Sequence, residues 1–133
     1  MAIRIETTNK ELSVNGGLLV FQEFQKSLSF GHLLETSLPQ TKYVKDSSLI
    51  KFQNLVLGFV AGADCLDDMD RLNQDTAFKE LCKETYAAKS YGDFLRAFDS
   101  LHCKNLSYRL IDLAYKLRGA LYPKQDTFVI DIA

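Results

Sequence analysis

The sequence predicts a mainly α-helical, multi-helix domain with one short β-strand near each end. In several segments apolar side chains recur at three- and four-residue spacing, as they do on one face of a helix. Residues that start and stop helices flank these segments. Residues 3–7 and 127–132 instead carry the alternating or β-branched pattern that is typical of strands. The 133 residues are 47% hydrophobic and 25% charged, which predicts one globular domain with a single core.

The amino-terminal part is predicted to contain a strand, a tight turn and two helices. Residues 3–7 alternate apolar and polar side chains, and the Asn-Gly-Gly sequence at residues 15–17 predicts a turn. The apolar residues of the next helix fall on one face: Leu18, Leu19, Phe21, Phe24 and Leu28. A second, short helix is predicted at residues 32–37, and Pro39 ends it.

The helix predicted after residue 46 is the candidate for the centre of the core. Asp46, Ser47 and Ser48 are candidates to cap its N-terminus. Its wide apolar stripe consists of Leu49, Phe52, Leu55, Val56, Phe59 and Val60. Gly58 would let another helix approach closely, whereas Gly62 fits the role of a helix stop.

Charge is unevenly distributed along the chain, although the formal net charge is −1. Residues 61–80 hold six acids and two bases, a balance of −4, while residues 104–124 hold five bases and one acid, a balance of +4. A phosphate backbone responds to local charge rather than to the total. The second segment is therefore either a basic face for DNA or a solvated helix surface.

The four acids between residues 64 and 70 suggest a cation site, but a helix start is the preferred interpretation. The segment has neither the glycine nor the closing glutamate of an EF-hand at the required spacing. Carboxylates are common in the first turn of a helix, where the helix dipole favours them. A metal-dependent enzyme built on these acids is a third hypothesis, disfavoured because no His or Glu lies beside them.

Residues 75–99 have the layout of a helix-turn-helix unit. Asp75 or Thr76 is predicted to cap a short helix, and Ser90 a second helix after a turn. In such units the first residues of the second helix meet base edges of DNA. The predicted DNA-contacting residues here are Lys89, Ser90, Tyr91 and Arg96. A helix hairpin that does not bind DNA is the alternative, and Asp93 on the same face opposes close approach of a phosphate.

The last helix, at about residues 106–121, is predicted to be a core helix with a basic outer face. Its apolar stripe consists of Leu106, Leu110, Leu113, Leu117 and Leu121. The basic residues predicted to contact phosphates are Lys104, Arg109, Lys116 and Arg118. Four tyrosines are further candidates for contact with nucleic acid, although half-buried tyrosines are the common case: Tyr86, Tyr91, Tyr108 and Tyr115.

The cysteines and histidines do not predict a metal site. Cys65, Cys82 and Cys103 are odd in number and widely spaced, which predicts reduced and mostly buried thiols. His32 and His102 do not support a metal site either, because His102 and the adjacent Cys103 cannot easily converge on one ion and the sequence has no second pair.

No targeting or membrane segment is expected. The start lacks a basic region followed by an apolar core. The longest apolar run, residues 55–63, is far shorter than the roughly 20 residues of a membrane-spanning helix. The predicted protein is cytoplasmic and has no membrane partner.

Short motifs follow one another along almost the whole chain, from Ile3 to Ile132. They are Gly16-Gly17-Leu18-Leu19, Gly58-Phe59-Val60-Ala61-Gly62-Ala63-Asp64, Asp67-Asp68-Met69-Asp70-Arg71-Leu72-Asn73-Gln74-Asp75, Ala77-Phe78-Lys79, Asp93-Phe94-Leu95-Arg96-Ala97-Phe98 and Val129-Ile130-Asp131-Ile132. In this order they resemble the amino-terminal region of bacterial insertion-sequence transposases of the DDE type. The run from Gly62 to Phe78 is the most specific part of the resemblance.

The resemblance implies a division of the chain into residues 1–126 and residues 127–133. In that family the helical region is implicated in binding the terminal inverted repeats of the mobile element. An RNase H-like core follows, in which three acids hold two divalent metals such as Mg²⁺ for strand cleavage and transfer. Residues 1–126 would then be the helical domain, and residues 127–133 the first strand of a truncated core.

The final strand departs from the family pattern at the catalytic position. The family strand continues as Asp-Ile-Asp followed by Ser or Thr, and the second Asp is the metal ligand. Here Asp131 and Ile132 are followed by Ala133, so Asp131 lies beside the position where the ligand is expected. The resemblance therefore implies no intact catalytic residue, no bound metal or other cofactor, and no enzymatic activity in this chain.

Two hypotheses of function follow. The first is a transposase-like domain that binds double-stranded DNA, namely terminal inverted repeats, through the second helix of the residue 75–99 unit and the basic face of the last helix. The second is a protein-interaction or oligomerisation module that does not bind DNA itself. The near-neutral net charge and the acidic segment 61–80 favour the second hypothesis. The acidic segment of one copy could meet the basic face of another copy in a homodimer.

Overall fold

The computed structural model describes residues 15–40 and 47–122, and this part of the chain is mainly α-helical, as predicted. Its elements are α1 (Leu18–Ser27), α2 (Phe30–Leu34), a 3₁₀ turn (Glu35–Ser37), α3 (Ser47–Val60), α4 (Leu66–Leu72), α5 (Thr76–Leu81), α6 (Ala88–Arg96) and α7 (Ser100–Leu121). The predicted strands at residues 3–7 and 127–132 lie outside the described residues, as do Asp131 and Ala133.

Helix α3 is the centre of the fold, as its sequence predicts, since it contacts α1, α2, α4 and α6. The main hydrophobic cluster contains residues from every helix except α2 and α7: Leu18, Leu38, Leu55, Leu57, Ala63, Met69, Leu72, Phe78, Cys82, Tyr91 and Phe94. The predicted apolar stripe of α3 is only partly correct. Phe59 and Val60, in its last turn, are exposed.

Two glycines, one within α3 and one just after it, have the predicted roles. A Cβ at Gly58 would collide with the Sδ atom of Met69, so this glycine lets α4 pack directly on α3. Gly62 has a φ of +91°. It ends the helix in a Schellman motif, in which Ala63 N–H donates to the carbonyl of Gly58 at 2.9 Å and Gly62 N–H to that of Phe59 at 3.0 Å.

The end of α5 and the loop that follows it are fixed by amide side chains from three different parts of the fold. Each donates a hydrogen bond from its nitrogen to a carbonyl oxygen: Gln22 to Leu81 at 2.5 Å, Asn54 to Glu84 at 2.7 Å and Asn73 to Tyr86 at 2.7 Å. Because backbone carbonyls must be satisfied when they leave water, these bonds let a non-helical segment lie against the core.

The longest helix does not have the predicted core position. Helix α7 begins at Ser100, six residues before the predicted start, because Asp99 accepts a hydrogen bond from His102 N–H at 2.8 Å and caps it. All of α7 is described, and none of its residues is buried. It contacts α2 and the 3₁₀ turn. Among the described residues, no helix has both the length and the apolar character needed to cross a membrane.

The thiols are only partly as predicted. Cys82 is buried, and burial raises its pKa to about 11. Cys65 and Cys103 are exposed, so the prediction of mostly buried cysteines is wrong for these two. Cys65 precedes α4 and Cys103 lies on the exposed helix α7, which explains why neither thiol reaches the core.

Candidate nucleic-acid interface

The two helices predicted as a helix-turn-helix unit both form, but they pack against different neighbours. Asp75 caps α5 as predicted, accepting a hydrogen bond from Phe78 N–H at 2.9 Å. Helix α5 packs against α1, whereas α6 packs chiefly against α4 and also against α3. In a helix-turn-helix unit the first helix supports the second. Here α4 and α3 provide most of that support.

The N-terminus of α6 is capped by a residue from another helix. The helix begins at Ala88 rather than after the predicted cap Ser90, and Ala87 at the N-cap position has no side-chain acceptor. The Oδ1 atom of Asp70 in α4 accepts the hydrogen bond of Ala88 N–H at 2.9 Å instead. A carboxylate at this end of a helix interacts favourably with the helix dipole and repels a phosphate.

The four predicted contact residues of α6 do not form one accessible surface. Lys89 is exposed and Ser90 is half-buried. The Tyr91 side chain is 0% exposed, its hydroxyl oxygen accepts a hydrogen bond from Asn54 Nδ2 at 3.1 Å, and burial raises its pKa. Tyr91 is therefore a core residue, and its assignment as a DNA contact is wrong. Arg96 is exposed and forms an ion pair with Asp93 at 2.6 Å.

The basic residues predicted on the last helix are, by contrast, largely accessible. Lys104, Arg109 and Lys116 are exposed, and Arg118 is half-buried. The Nζ atom of Lys104 lies 6.0 Å from the centre of the Tyr108 ring, at the limit of a cation–π contact. Since Lys104 and Tyr108 are four residues apart, both belong to the same face of α7.

That face combines aromatic, aliphatic and basic side chains. Its members recur at three- and four-residue steps and are here called the tyrosine face: Leu101, Lys104, Tyr108, Ile111, Tyr115, Arg118 and Tyr122. Of these side chains, Leu101, Tyr108, Ile111, Tyr115 and Tyr122 are each between 58% and 63% exposed. Exposed apolar groups in one row mark a contact surface more often than isolated ones do.

Arg109 lies beside the tyrosine face, in a groove between α7 and the 3₁₀ turn. The groove has a volume of about 290 Å³, and its lining includes Thr36, Ser37, Tyr108, Arg109 and Asp112. Asp112 lines the same groove, so its negative charge opposes that of Arg109 there. Lys104 and Lys116 are exposed and lie outside the described lining of the groove, one on each side of it along α7.

Three of the six acidic residues of segment 61–80 cap helices, namely Asp68, Asp70 and Asp75. Asp68 accepts hydrogen bonds from the backbone N–H groups of Asp64 at 3.0 Å and Cys65 at 3.3 Å, and these bonds hold its pKa below the usual value. Its other oxygen pairs with Arg71 at 3.0 Å. In residues 15–40 and 47–122, no three His, Cys, Asp or Glu side chains are placed to share a metal ion.

Comparisons with known proteins found no significant match among protein-family models, curated proteins or solved structures. The resemblance to transposase amino-terminal regions thus rests on the sequence motifs alone. Sequence reasoning did not identify Leu101, Ile111 and Tyr122 as surface residues. Their signal is the recurrence of apolar and aromatic residues at positions 101, 108, 111, 115 and 122, in steps of three, four or seven, which sets a second apolar row beside the leucine stripe.

Proposed function

We propose that this chain binds double-stranded DNA through helix α7, in the manner expected of a transposase-like domain. The observation that carries the proposal is the accessibility of a basic helix: α7 has 22 residues, and none of them is buried. Four bases and one acid lie on it. The proposal places the DNA contacts on α7 rather than on α6, whose N-terminus is occupied by Asp70.

The dimensions and chemistry of α7 suit a duplex. At about 1.5 Å per residue the helix is roughly 33 Å long, close to one turn of B-DNA at about 34 Å. Lysine and arginine neutralise phosphates and release counterions. Tyrosine hydroxyls donate to phosphate oxygens and position the protein on the backbone. Lys104 near the start of α7 and Lys116 near its end would supply the positive charge, and the exposed Tyr108 between them would supply a hydroxyl group.

The biological target in this proposal is the terminal inverted repeat of a mobile element, and it rests on the sequence resemblance. We assign recognition, and not strand cleavage, to this chain. Lys89 on α6 would add a peripheral phosphate contact, since its side chain is exposed beside the capped helix start.

Fluorescence anisotropy with a labelled duplex of about 30 base pairs at several salt concentrations tests the proposal. The double variant Lys104→Gln/Lys116→Gln should bind more weakly. The negative slope of log affinity against log salt should become shallower by about 0.9 for each phosphate that is no longer neutralised. Arg71→Gln/Lys79→Gln, which removes the same charge from α4 and α5, should bind like the unmodified protein. Equal affinities and slopes for all three proteins would exclude α7 as the DNA-binding element.

A protein-interaction module is the second candidate, and the apolar part of the tyrosine face favours it. The side chains of Leu101 and Ile111 have neither a hydrogen-bond donor nor a positive charge for a phosphate, yet both are exposed. The tyrosine face of one copy could pack against another chain, and the acidic helix starts of α4 and α5 offer charge complementary to α7. Light scattering beside the anisotropy assay separates the two functions. A dimer that ignores DNA supports the interaction module, and a monomer that binds DNA supports the first proposal.

A further inference from the structure

A cavity of about 470 Å³ opens between α1, α2, α3 and the end of α5, and its described lining includes none of the residues that carry the DNA proposal. Its size is that of a small-molecule site. Apolar side chains from three helices form part of the wall: Phe30, Ile50, Leu57 and Leu81. The remaining wall is polar. A molecule held here would therefore need both an apolar body and a polar group.

One polar residue of the wall is buried without a hydrogen-bond partner. Gln25 is 7% exposed, and its Nε2 atom has no partner in the described part of the chain. Buried side-chain donors in native proteins are nearly always paired, so such an atom requires an explanation. Gln22 and Asn54 also line the cavity, but their amide nitrogens are paired: they donate hydrogen bonds to the carbonyl oxygens of Leu81 and Glu84. An acceptor bound in the cavity would complete the hydrogen bonding of Gln25.

The charged residues of the wall are all basic. Lys26 and Lys83 line the cavity together with His32, and the described lining contains no Asp or Glu. The Nζ atom of Lys26 forms an ion pair with Glu23 at 2.7 Å. Lys83 follows α5 and is exposed. A cavity with cationic and amide donors and without a carboxylate favours an anion.

We propose that this cavity binds a small organic phosphate. Lys83 would supply the positive charge, while the amides of Gln25 and Gln53 would donate hydrogen bonds to the phosphate oxygens. Lysine is a common phosphate ligand that acts as a point charge, and the bases in the described lining are lysines and a histidine, with no arginine among them. Separate donors on several elements also suit the tetrahedral arrangement of phosphate oxygens. The apolar wall formed by Phe30 and Leu57 would hold the organic part.

The site is independent of the proposed DNA contacts. None of the residues described as lining this cavity belongs to α7. Substitutions in the cavity should therefore leave duplex binding by Lys104 and Lys116 unchanged, and the two proposals can fail separately.

Three probes define the ligand class in an NMR titration of the ¹⁵N-labelled protein at constant ionic strength. Phenyl phosphate carries both an apolar ring and the phosphate, inorganic phosphate lacks the ring, and benzoate replaces the phosphate with a carboxylate. We expect phenyl phosphate to shift the signals of Gln25, Gln53 and Lys83 at the lowest concentration. Inorganic phosphate should shift the same signals at least tenfold more weakly. Equal affinity for inorganic phosphate would overturn the organic part of the proposal, and equal affinity for benzoate would overturn the phosphate part.

Two variants test the assigned residues. Lys83→Gln and Gln25→Leu should each weaken phenyl phosphate binding at least tenfold, whereas Lys79→Gln, an exposed position on α5 outside the cavity, should not change it. Gln25→Leu should also melt no lower than the unmodified protein without ligand, because it replaces a side chain whose buried amide nitrogen has no partner with an apolar group of similar size. Unchanged binding in both cavity variants, or no binding by the unmodified protein, would overturn the proposal.

Discussion

The carboxylate of Asp70 lies 2.9 Å from the backbone nitrogen of Ala88 and caps a helix 18 residues further along the chain. Asp70 belongs to α4, and Ala88 is the first residue of α6. One hydrogen bond therefore joins the two helices that pack most extensively on each other in this part of the fold. It also explains how α6 can begin after Ala87, which cannot cap a helix with its side chain.

Replacing Asp70 with alanine should destabilise the protein without disturbing α4. The change removes the acceptor for Ala88 N–H, and loss of an N-cap acceptor typically costs about 0.5–2 kcal/mol. Urea unfolding followed by circular dichroism gives the change in free energy of unfolding. Asp67→Ala is the matched control, because Asp67 is an acid in the first turn of the same helix. Equal losses in the two variants would mean that the contact with α6 contributes nothing.

Helix starts and stops that depend only on residues close together in the chain could be predicted from the sequence. The cap of α5 by Asp75, the stop at Gly62 and the acidic start of α4 each involve residues within five positions. The start of α6 could not be predicted in this way, because Asp70 is distant in sequence. The burial of Tyr91 depends on Asn54, which lies 37 residues away.

The position of α7 could not be predicted from the sequence for a different reason. Periodicity shows that Leu106, Leu113 and Leu117 share a face, but it does not show whether another element covers that face. In the structure these three residues are only half-buried, and a second row containing Tyr108 and Ile111 is exposed. Helix α7 therefore presents apolar side chains over much of its circumference. Basic residues, by contrast, are found on the surface in most proteins, so the exposure of Lys104 and Lys116 follows from their type.

Two glycine substitutions should have opposite effects on stability. Gly58→Ala places a methyl group against Met69, which is 1% exposed and has little space to move, so we expect a loss of about 1–3 kcal/mol from overpacking. Gly119→Ala in α7 meets no heavy atom within 4 Å and should stabilise the protein by about 0.5–1 kcal/mol through helix propensity. Thermal unfolding of both variants measures the two effects. A Gly58→Ala protein as stable as Gly119→Ala would contradict the close packing of α3 on α4.

The capping role of Asp68 should make stability depend on pH in the acid range. Hydrogen bonds from Asp64 and Cys65 N–H lower the pKa of its carboxyl in the folded protein below the value in the unfolded chain. Stability from this group is therefore fully present above the unfolded pKa of about 4 and is lost as the pH falls through the lower, folded pKa. Denaturant unfolding from pH 7 to pH 2 should show this decrease. Asp68→Asn should be less stable near neutral pH and should have a shallower acid dependence, and an unchanged profile would contradict the assignment.

Shortening side chains on the tyrosine face should separate surface function from folding. Ile111 and Tyr108 are 59% and 58% exposed, so Ile111→Ala and Tyr108→Ala should each change the free energy of unfolding by no more than about 0.5 kcal/mol. If α7 contacts DNA, Tyr108→Ala should weaken duplex binding while Ile111→Ala has little effect, because only the tyrosine hydroxyl can donate to a phosphate. If the face instead binds a second copy, both variants should weaken self-association measured by light scattering. A decrease in stability beyond about 1 kcal/mol in both variants would show that α7 packs against the rest of the chain more closely than its exposure indicates.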